Sequence, residues 1–206
     1  MLLIASDGSY EVLADGLVNP GRVVVADGTA WWVEQGAGAL WRAELPDGTP
    51  ERVLEGLDAP GGIAAEAGWA YVAEGGAVRG VAAIEAATLE VDTLASVEEI
   101  PKDIAVEDGE VFFTARADRW PGAGWVYLHD GSLQQLSDSP PGLSWLRVGD
   151  DHIYWASNQS ITRVSRDGGT YEPVAILTAP GDFVLDLDRL VWTDRHTGEL
   201  LATPID

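Results

Sequence analysis

The 206-residue sequence predicts an all-β protein, and three observations lead to this prediction. The sequence repeats about every 40 residues, each repeat holds four short apolar or β-branched runs, and no long stretch has capped helical spacing. Asp-Gly pairs separate many of the runs, and glycine accepts the positive φ that a tight hairpin turn needs. Four antiparallel strands in a period of this length are the signature of a β-propeller blade.

A proline begins each repeat, and the intervals between these prolines are 40, 41, 40 and 39 residues. The five prolines are Pro20, Pro60, Pro101, Pro141 and Pro180. Four strands of about six residues and four connections of about four residues fill such a period. We therefore predict five four-stranded blades of about 40 residues each, in a single β-propeller domain spanning residues 1–206.

The predicted strands recur in the same order in each repeat. The first follows the proline, at residues 23–25, 63–65, 104–106, 143–148 and 183–187. The second is rich in aromatic residues, at residues 31–33, 71–72, 111–113, 153–155 and 190–192. The third follows a loop, at residues 40–41, 81–82, 125–127, 161–163 and 200–201. The fourth follows another turn, as at residues 52–54 and 174–176.

The two ends of the chain are predicted to complete one another. Asp7-Gly8 lies 40 residues before Asp47-Gly48, so residues 9–14 correspond to a fourth strand. The last repeat supplies three strands, and we expect this N-terminal strand to close the ring by completing the last blade. Closure of this kind removes the sheet edges that invite aggregation. Residues 1–5 also resemble a third strand, a place that residues 199–203 already fill, and their location stays open.

The composition excludes several classes of partner and site. Twelve Lys and Arg residues stand against 34 Asp and Glu residues, which gives a net charge of −22. Such a surface repels nucleic acid and anionic membranes. The absence of cysteine excludes disulfides and thiolate metal sites. The apolar start at residues 1–5 is too short for a signal peptide or a membrane span, which favours a cytoplasmic location. We also expect a monomer.

The tryptophans indicate how the blades pack. Trp32, Trp155 and Trp192 share one position in the second strand, which predicts packing between blades. Residues 153–155, followed by Ser160–Val164 and Asp167-Gly168-Gly169, resemble the repeats of bacterial β-propellers related to the YWTD and NHL groups. The segment Val191-Trp192-Thr193-Asp194 is similar to the YWTD core, with valine in the tyrosine position. The resemblance covers nearly the whole chain and implies the fold, but YWTD domains generally have six blades.

Motifs for catalysis and cofactor binding are missing from the sequence. It has no phosphate-binding glycine loop leading to a helix, no Gly-x-Ser-x-Gly elbow and no His-Glu-x-x-His pair. The three histidines occupy inequivalent positions of different repeats. Turn chemistry accounts for the aspartates that precede glycines. We therefore expect no cofactor and no resident metal, and we favour a protein that is not an enzyme.

One connection stands out as a candidate interaction site. Residues 115–124 form the longest irregular connection, whereas the corresponding loops of repeats one, four and five have about five residues or fewer. This loop carries Arg116, Arg119 and Trp120, and arginine and tryptophan are the residue types that dominate interface energetics. The alternative is a loop that folds over its own blade, with its arginines neutralised by nearby carboxylates.

A second candidate region is the mouth of the predicted central channel. The residues just past each proline are Arg22, Gly62, Asp103, Leu143 and Asp182, and the propeller fold places them around this mouth. The loop with Asp194, Arg195 and His196 belongs to the same face. Mixed charges that converge on a cavity are the default ligand site of this architecture.

Three functions remain open from the sequence. The first is a non-catalytic recognition or scaffold module that binds a protein or peptide on the loop face. The second is a carbohydrate-binding propeller, although a repeated lectin should show the same residues in every loop. The third is implied by a resemblance to propeller lactonases, which hold a divalent metal at the channel mouth. Only Asp103 and Asp182 could serve as ligands there, and two carboxylates are few for a hard metal ion.

Overall fold

The computed structural model describes residues 2–4, 10–119, 123–139, 144–157, 159–176, 180–186 and 188–205. Every regular element in these ranges is a β-strand, so the predicted all-β class is confirmed. No helix in the described part of the chain is long and apolar enough to cross a membrane. The chain divides into two compact units, unit 1 at residues 1–97 and unit 2 at residues 98–206, and each is described by itself.

Unit 1 contains a hairpin and two four-stranded antiparallel sheets. The hairpin pairs β1 (Leu2–Ile4) with β2 (Tyr10–Val12). Sheet I has the order β3 (Pro20–Ala26), β4 (Thr29–Glu34), β5 (Ala39–Glu44) and β6 (Glu51–Glu55). Sheet II has the order β7 (Pro60–Glu66), β8 (Trp69–Gly75), β9 (Arg79–Glu85) and β10 (Val91–Ser96).

Unit 2 contains two four-stranded sheets and one three-stranded sheet. Sheet III has the order β11 (Ile100–Glu107), β12 (Glu110–Arg116), β13 (Gly124–His129) and β14 (Leu133–Ser139). Sheet IV has the order β15 (Ser144–Val148), β16 (His152–Ala156), β17 (Ser160–Ser165) and β18 (Glu172–Ile176). Sheet V has the order β19 (Pro180–Asp186), β20 (Arg189–Asp194) and β21 (Glu199–Pro204).

The repeat inferred from the sequence recurs in the hydrogen-bond register. The first strand of every sheet shifts register shortly after it starts, and the fourth strand of every four-stranded sheet shifts register against the third. Such bulges insert unpaired residues and increase the local twist of the strand. The first-strand shifts lie between Pro20 and Val23, Pro60 and Ile63, Pro101 and Ile104, Ser144 and Leu146, and Pro180 and Phe183.

The second-strand tryptophans lie in the core, as predicted. The exposed fractions of Trp32, Trp155 and Trp192 are 1%, 0% and 8%. Trp155 packs in the apolar cluster of sheets III and IV, and Trp192 packs in the cluster of sheets IV and V. Their three indole N–H groups are buried and find no hydrogen-bond partner among the described residues. The packing of the rings therefore outweighs the cost of burying these donors.

The ends of the chain differ from the prediction. Four sheets have four strands each, whereas sheet V has three strands among the described residues. The expected closing strand contributes β2, which pairs with β1, and no pairing of β2 with sheet V is found among the described residues, so the N-terminal closure is not confirmed. Residues 2–4 supply the other strand of this local hairpin. A hairpin between neighbouring segments closes a short loop and loses little entropy, so it can form whether or not the other edge of β2 pairs with a distant strand.

Candidate functional site

Antiparallel order brings the same features to one end of every sheet. At this end the first strand begins, the second strand ends and the third strand begins. We call this end of sheets III, IV and V the loop end of unit 2. The loop end includes the first residues of β11, β15 and β19. It also includes the whole β12–β13, β16–β17 and β20–β21 connections.

The carboxylate of Asp103 joins two sheets at the loop end. Asp103 is 7% exposed, and its Oδ1 accepts a hydrogen bond from the N–H of Ile104 at 3.0 Å. Its Oδ2 accepts a hydrogen bond from the N–H of Leu146 in sheet IV at 2.7 Å. The N–H of Asp103 donates to Thr114 Oγ1 at 3.2 Å. A buried carboxylate is tolerated here because main-chain donors satisfy both of its oxygens.

Arg147 on β15 lies between the two aspartates that the sequence singled out. Its Nη2 donates to Asp182 Oδ1 at 2.8 Å, and its Nη1 is 4.0 Å from Asp103 Oδ2. Nη1 also donates to the carbonyl oxygen of Leu146 at 2.8 Å, and the guanidinium lies 5.4 Å from the centre of the Phe183 ring. The structure therefore brings Asp103 and Asp182 to one cluster, with a cation between them.

Sequence reasoning missed Arg147, although a signal was present. Arg147 directly follows Leu146, and the residues in its place on the other first strands are all apolar: Val24, Ala64, Ala105 and Val184. A charged residue at an otherwise apolar repeat position is the pattern that should have marked it.

The arrangement is poorly suited to a resident metal ion. The described residues contain no group of three His, Asp or Glu side chains placed to hold one. Asp103 and Asp182 are the candidates that the sequence offered, and the guanidinium of Arg147 takes the place that a cation would need. Positive charge between two carboxylates repels a second cation.

In the fourth repeat, Trp145 takes the register position of the predicted mouth residues. Leu143 lies outside the described residues. Leu146 pairs with Trp155 directly after the bulge of its strand, as Ile104 and Phe183 pair directly after the bulges in sheets III and V. Trp145 therefore occupies the position predicted for Leu143. Its φ is 38°, in a region that bulky residues rarely adopt. The guanidinium carbon of Arg195 lies 5.3 Å from the centre of its ring, a cation–π contact between sheets V and IV.

Asp194 and His196 lie in the β20–β21 turn that carries Arg195. Asp194 is 5% exposed, and its Oδ1 accepts hydrogen bonds from the N–H groups of His196 at 2.7 Å and Thr197 at 3.1 Å. The Asp194 carboxylate thus shapes the turn, which is a structural role. The side chain of His196 is exposed at the loop end.

A backbone hydrogen bond joins the two ends of the long loop of sheet III. The N–H of Ala117 donates to the carbonyl oxygen of Ala123 at 3.0 Å, and Trp120 between them lies outside the described residues. Arg116 is half-buried and donates from Nη1 to the carbonyl oxygen of Ala117 at 3.0 Å, whereas Arg119 is exposed. In the described part of the chain neither arginine forms an ion pair.

Lys102 adds a second positive charge beside Arg116. Lys102 is half-buried on β11. Burial, followed by the charge of Arg116, lowers the pKa of the Lys102 amine from its usual 10.5. Like charges held near one another in a partly buried place disfavour the protonated form.

Arg22 belongs to unit 1. It is half-buried at the bulge of β3, the position that Asp103 and Asp182 occupy in their own sheets. Gly62 takes this position in sheet II. The repeat positions of the predicted mouth residues therefore correspond, apart from that of Leu143.

Comparisons with known proteins concern the fold. No family model matches the sequence, and no curated protein matches it. A chain of the crystal structure of the nidogen/laminin complex is similar, with a TM-score of 0.68, 17% identity and coverage of 89% of this chain and 76% of that chain. The computationally designed Ika4 protein has a TM-score of 0.60 and 10% identity, over 73% of this chain and 94% of that chain. The first likeness supports a β-propeller fold for this chain.

Proposed function

We propose that this chain is a non-catalytic recognition propeller that binds a protein or peptide at the loop end of unit 2. Arg116, Arg119 and Trp120 are the proposed contacts of the long loop. Asp103, Asp182, Asp194 and His196 shape or border the surface beside them. Trp145 and Arg195 extend the surface across sheets IV and V.

The observation that carries this proposal is the state of the two loop arginines. The alternative interpretation of the loop required its arginines to be neutralised within the protein. Arg116 and Arg119 have no ion pair among the described residues, although 34 of the 206 residues are acidic. Arginines that remain unpaired on so acidic a chain are available to a partner, and arginine is enriched in binding hot spots.

A structural neighbour supports a protein partner in general terms. The neighbour with the TM-score of 0.68 comes from a crystal structure of a complex of nidogen and laminin. Its fold therefore occurs in a protein that assembles with another protein. The partner of the present chain and the face it uses are inferred from the loop end alone.

We propose further that residues 1–206 form one five-bladed domain in which residues 9–14 supply the fourth strand of the last blade. Every other sheet has a fourth strand, and the spacing of Asp7-Gly8 from Asp47-Gly48 equals one repeat. The proposed domain would function as a monomer.

A peptide selection tests the proposed function. A random-peptide phage library is selected on the immobilised wild-type protein, and enriched peptides are titrated against three variants. We expect Arg116→Ala combined with Arg119→Ala to weaken binding about tenfold or more. Arg189→Ala is the matched control, because Arg189 is exposed at the opposite end of sheet V and pairs with Asp186 at 3.1 Å. Trp145→Gly is the third variant, since glycine accepts the positive φ of that position.

Equal binding to the double variant and to wild type would contradict the proposal. A glycan array on the same protein covers the carbohydrate alternative. Specific glycan binding without any enriched peptide would replace the proposed partner class.

A further inference from the structure

We infer that the loop end of unit 2 recognises an acidic segment of its partner, a peptide that presents carboxylate side chains. This inference rests on the proposed function and names the chemistry of the partner.

Unit 2 holds eight of the twelve Lys and Arg side chains of the protein. Four of the eight form ion pairs with carboxylates: Arg147 with Asp182, Arg163 with Glu172, Arg166 with Glu107 and Glu110, and Arg189 with Asp186. The other four form no ion pair within the part of the chain that the structure describes. They are Lys102, Arg116, Arg119 and Arg195.

All four of these unpaired cations lie at the loop end. Lys102 is near the start of β11, Arg116 ends β12, Arg119 is in the β12–β13 loop and Arg195 is in the β20–β21 turn. Sheets III, IV and V are joined at this end by the contacts of Asp103 with Leu146 and of Arg147 with Asp182. The unpaired cations therefore belong to one continuous end of the unit.

Lys102 and Arg116 have no counter-charge among the described residues, although their partial burial is where a counter-charge would stabilise them most. Each is half-buried, and the charge of Arg116 contributes to the lowered pKa of the Lys102 amine. Two like charges in a partly desolvated place raise the free energy of the unbound protein. A carboxylate bound between them would relieve this repulsion, so the pair favours an anionic ligand.

Arg195 is held in a geometry that suits carboxylate binding. Its guanidinium lies over the half-buried Trp145 ring, with 5.3 Å between the guanidinium carbon and the ring centre. A guanidinium in contact with an aromatic ring can still form two parallel hydrogen bonds with a carboxylate through its N–H groups. The aromatic contact also restricts the side chain before binding, which lowers the entropy that a ligand must offset.

The acidity of the remaining protein makes this end selective. A net charge of −22 repels an acidic peptide from most of the surface. Local positive charge at the loop end then both attracts the segment and fixes where it docks. Nucleic acid is disfavoured because its long, dense charge would extend over the acidic surroundings.

Fluorescence anisotropy with synthetic peptides tests the inference. The probe is a fluorescein-labelled peptide of alternating Glu and Gly, and the reference is the peptide of equal length with Gln in place of Glu. We expect the Glu peptide to bind more tightly, and added salt to weaken its binding. Lys102→Gln and Arg195→Gln should each weaken it about tenfold, the effect of losing one charge-assisted contact. Arg189→Gln, at the opposite end, should leave it unchanged.

Two results would overturn the inference. One is equal affinity of the Glu and Gln peptides, or no binding of either. The other is an equal loss of affinity for the Glu peptide in Arg189→Gln and Arg195→Gln, since the affinity would then depend on the net charge of the protein and not on the loop end. If library peptides without acidic residues still bind and lose affinity in the Arg116→Ala, Arg119→Ala variant, the proposed function stands and only the acidic chemistry fails. If no peptide of either kind binds, both fail.

Discussion

The Asp103 carboxylate accepts the main-chain N–H of Leu146 at 2.7 Å, which ties the first strand of sheet III to the first strand of sheet IV. The same carboxylate accepts the N–H of Ile104 and lies 4.0 Å from Arg147. One side chain thus sets the spacing of two sheets and helps to hold the arginine that reaches sheet V. The loop end is built on this contact.

Asp103→Ala should lower the free energy of unfolding by about 2 kcal/mol, since two buried N–H donors lose their acceptor. Urea unfolding followed by tryptophan fluorescence measures the change. Asp182→Ala is the control, because the Asp182 side chain is 57% exposed and exposed ion pairs contribute about 0–1 kcal/mol. Equal losses of unfolding free energy in the two variants would show that the link between sheets III and IV stabilises the protein no more than an exposed ion pair does.

Trp155→Ala should cost about 3–5 kcal/mol, because it removes a fully buried ring from the cluster of sheets III and IV. Trp155→Phe should cost much less, since the indole N–H has no partner among the described residues to lose. Denaturant unfolding of both variants checks this order. An Ala cost below about 1 kcal/mol would contradict the strand register.

Lys102→Met should stabilise the protein near neutral pH, because it removes a positive charge that burial and Arg116 disfavour. The lowered pKa means that the unfolded chain binds more protons than the native state between that pKa and 10.5. The stability of the wild type should therefore rise towards that of the variant as the pH increases through this interval. Thermal unfolding of both proteins over a pH series measures the difference. A variant less stable than the wild type at neutral pH would contradict this prediction.

Deletion of residues 1–17 should promote association, because the proposed fourth strand of the last blade is lost and an open strand edge invites pairing. The deletion retains Val18, whose N–H donates to Glu34 Oε1 at 2.6 Å, so sheet I keeps this contact. Light scattering after size exclusion reports the mass of the species. A monomer with an unchanged melting temperature would show that residues 9–14 do not close the last blade.

The sequence predicted the repeating four-stranded sheets well, because prolines and Asp-Gly turns mark strand ends through local chemistry. It also predicted the buried tryptophans, because their offset in the second strand is constant. It misplaced the mouth residue of the fourth repeat. Leu146 comes five positions after Pro141, whereas Ile104 comes three positions after Pro101, so counting from the proline stopped short of Trp145.

Other features depend on contacts that local patterns do not encode. The pairing of β1 with β2 is one such feature, because the spacing of the repeats predicts only a distant partner for β2. Arg116 and Arg119 form no ion pair with any residue that the structure describes, and this depends on which carboxylates the fold brings near. Composition alone favoured neutralisation of these arginines, because acidic residues outnumber basic ones 34 to 12.

The most direct test of the recognition site is the Trp120→Ala variant, measured both for stability and for affinity towards a peptide selected on the wild type. If Trp120 contacts the partner, the free energy of unfolding should stay within about 0.5 kcal/mol of the wild type, as for other surface changes. Binding should then weaken by about 2 kcal/mol or more. A melting temperature lowered by several degrees, together with unchanged peptide affinity, would show that Trp120 packs within its own blade and that the loop end lacks the proposed site.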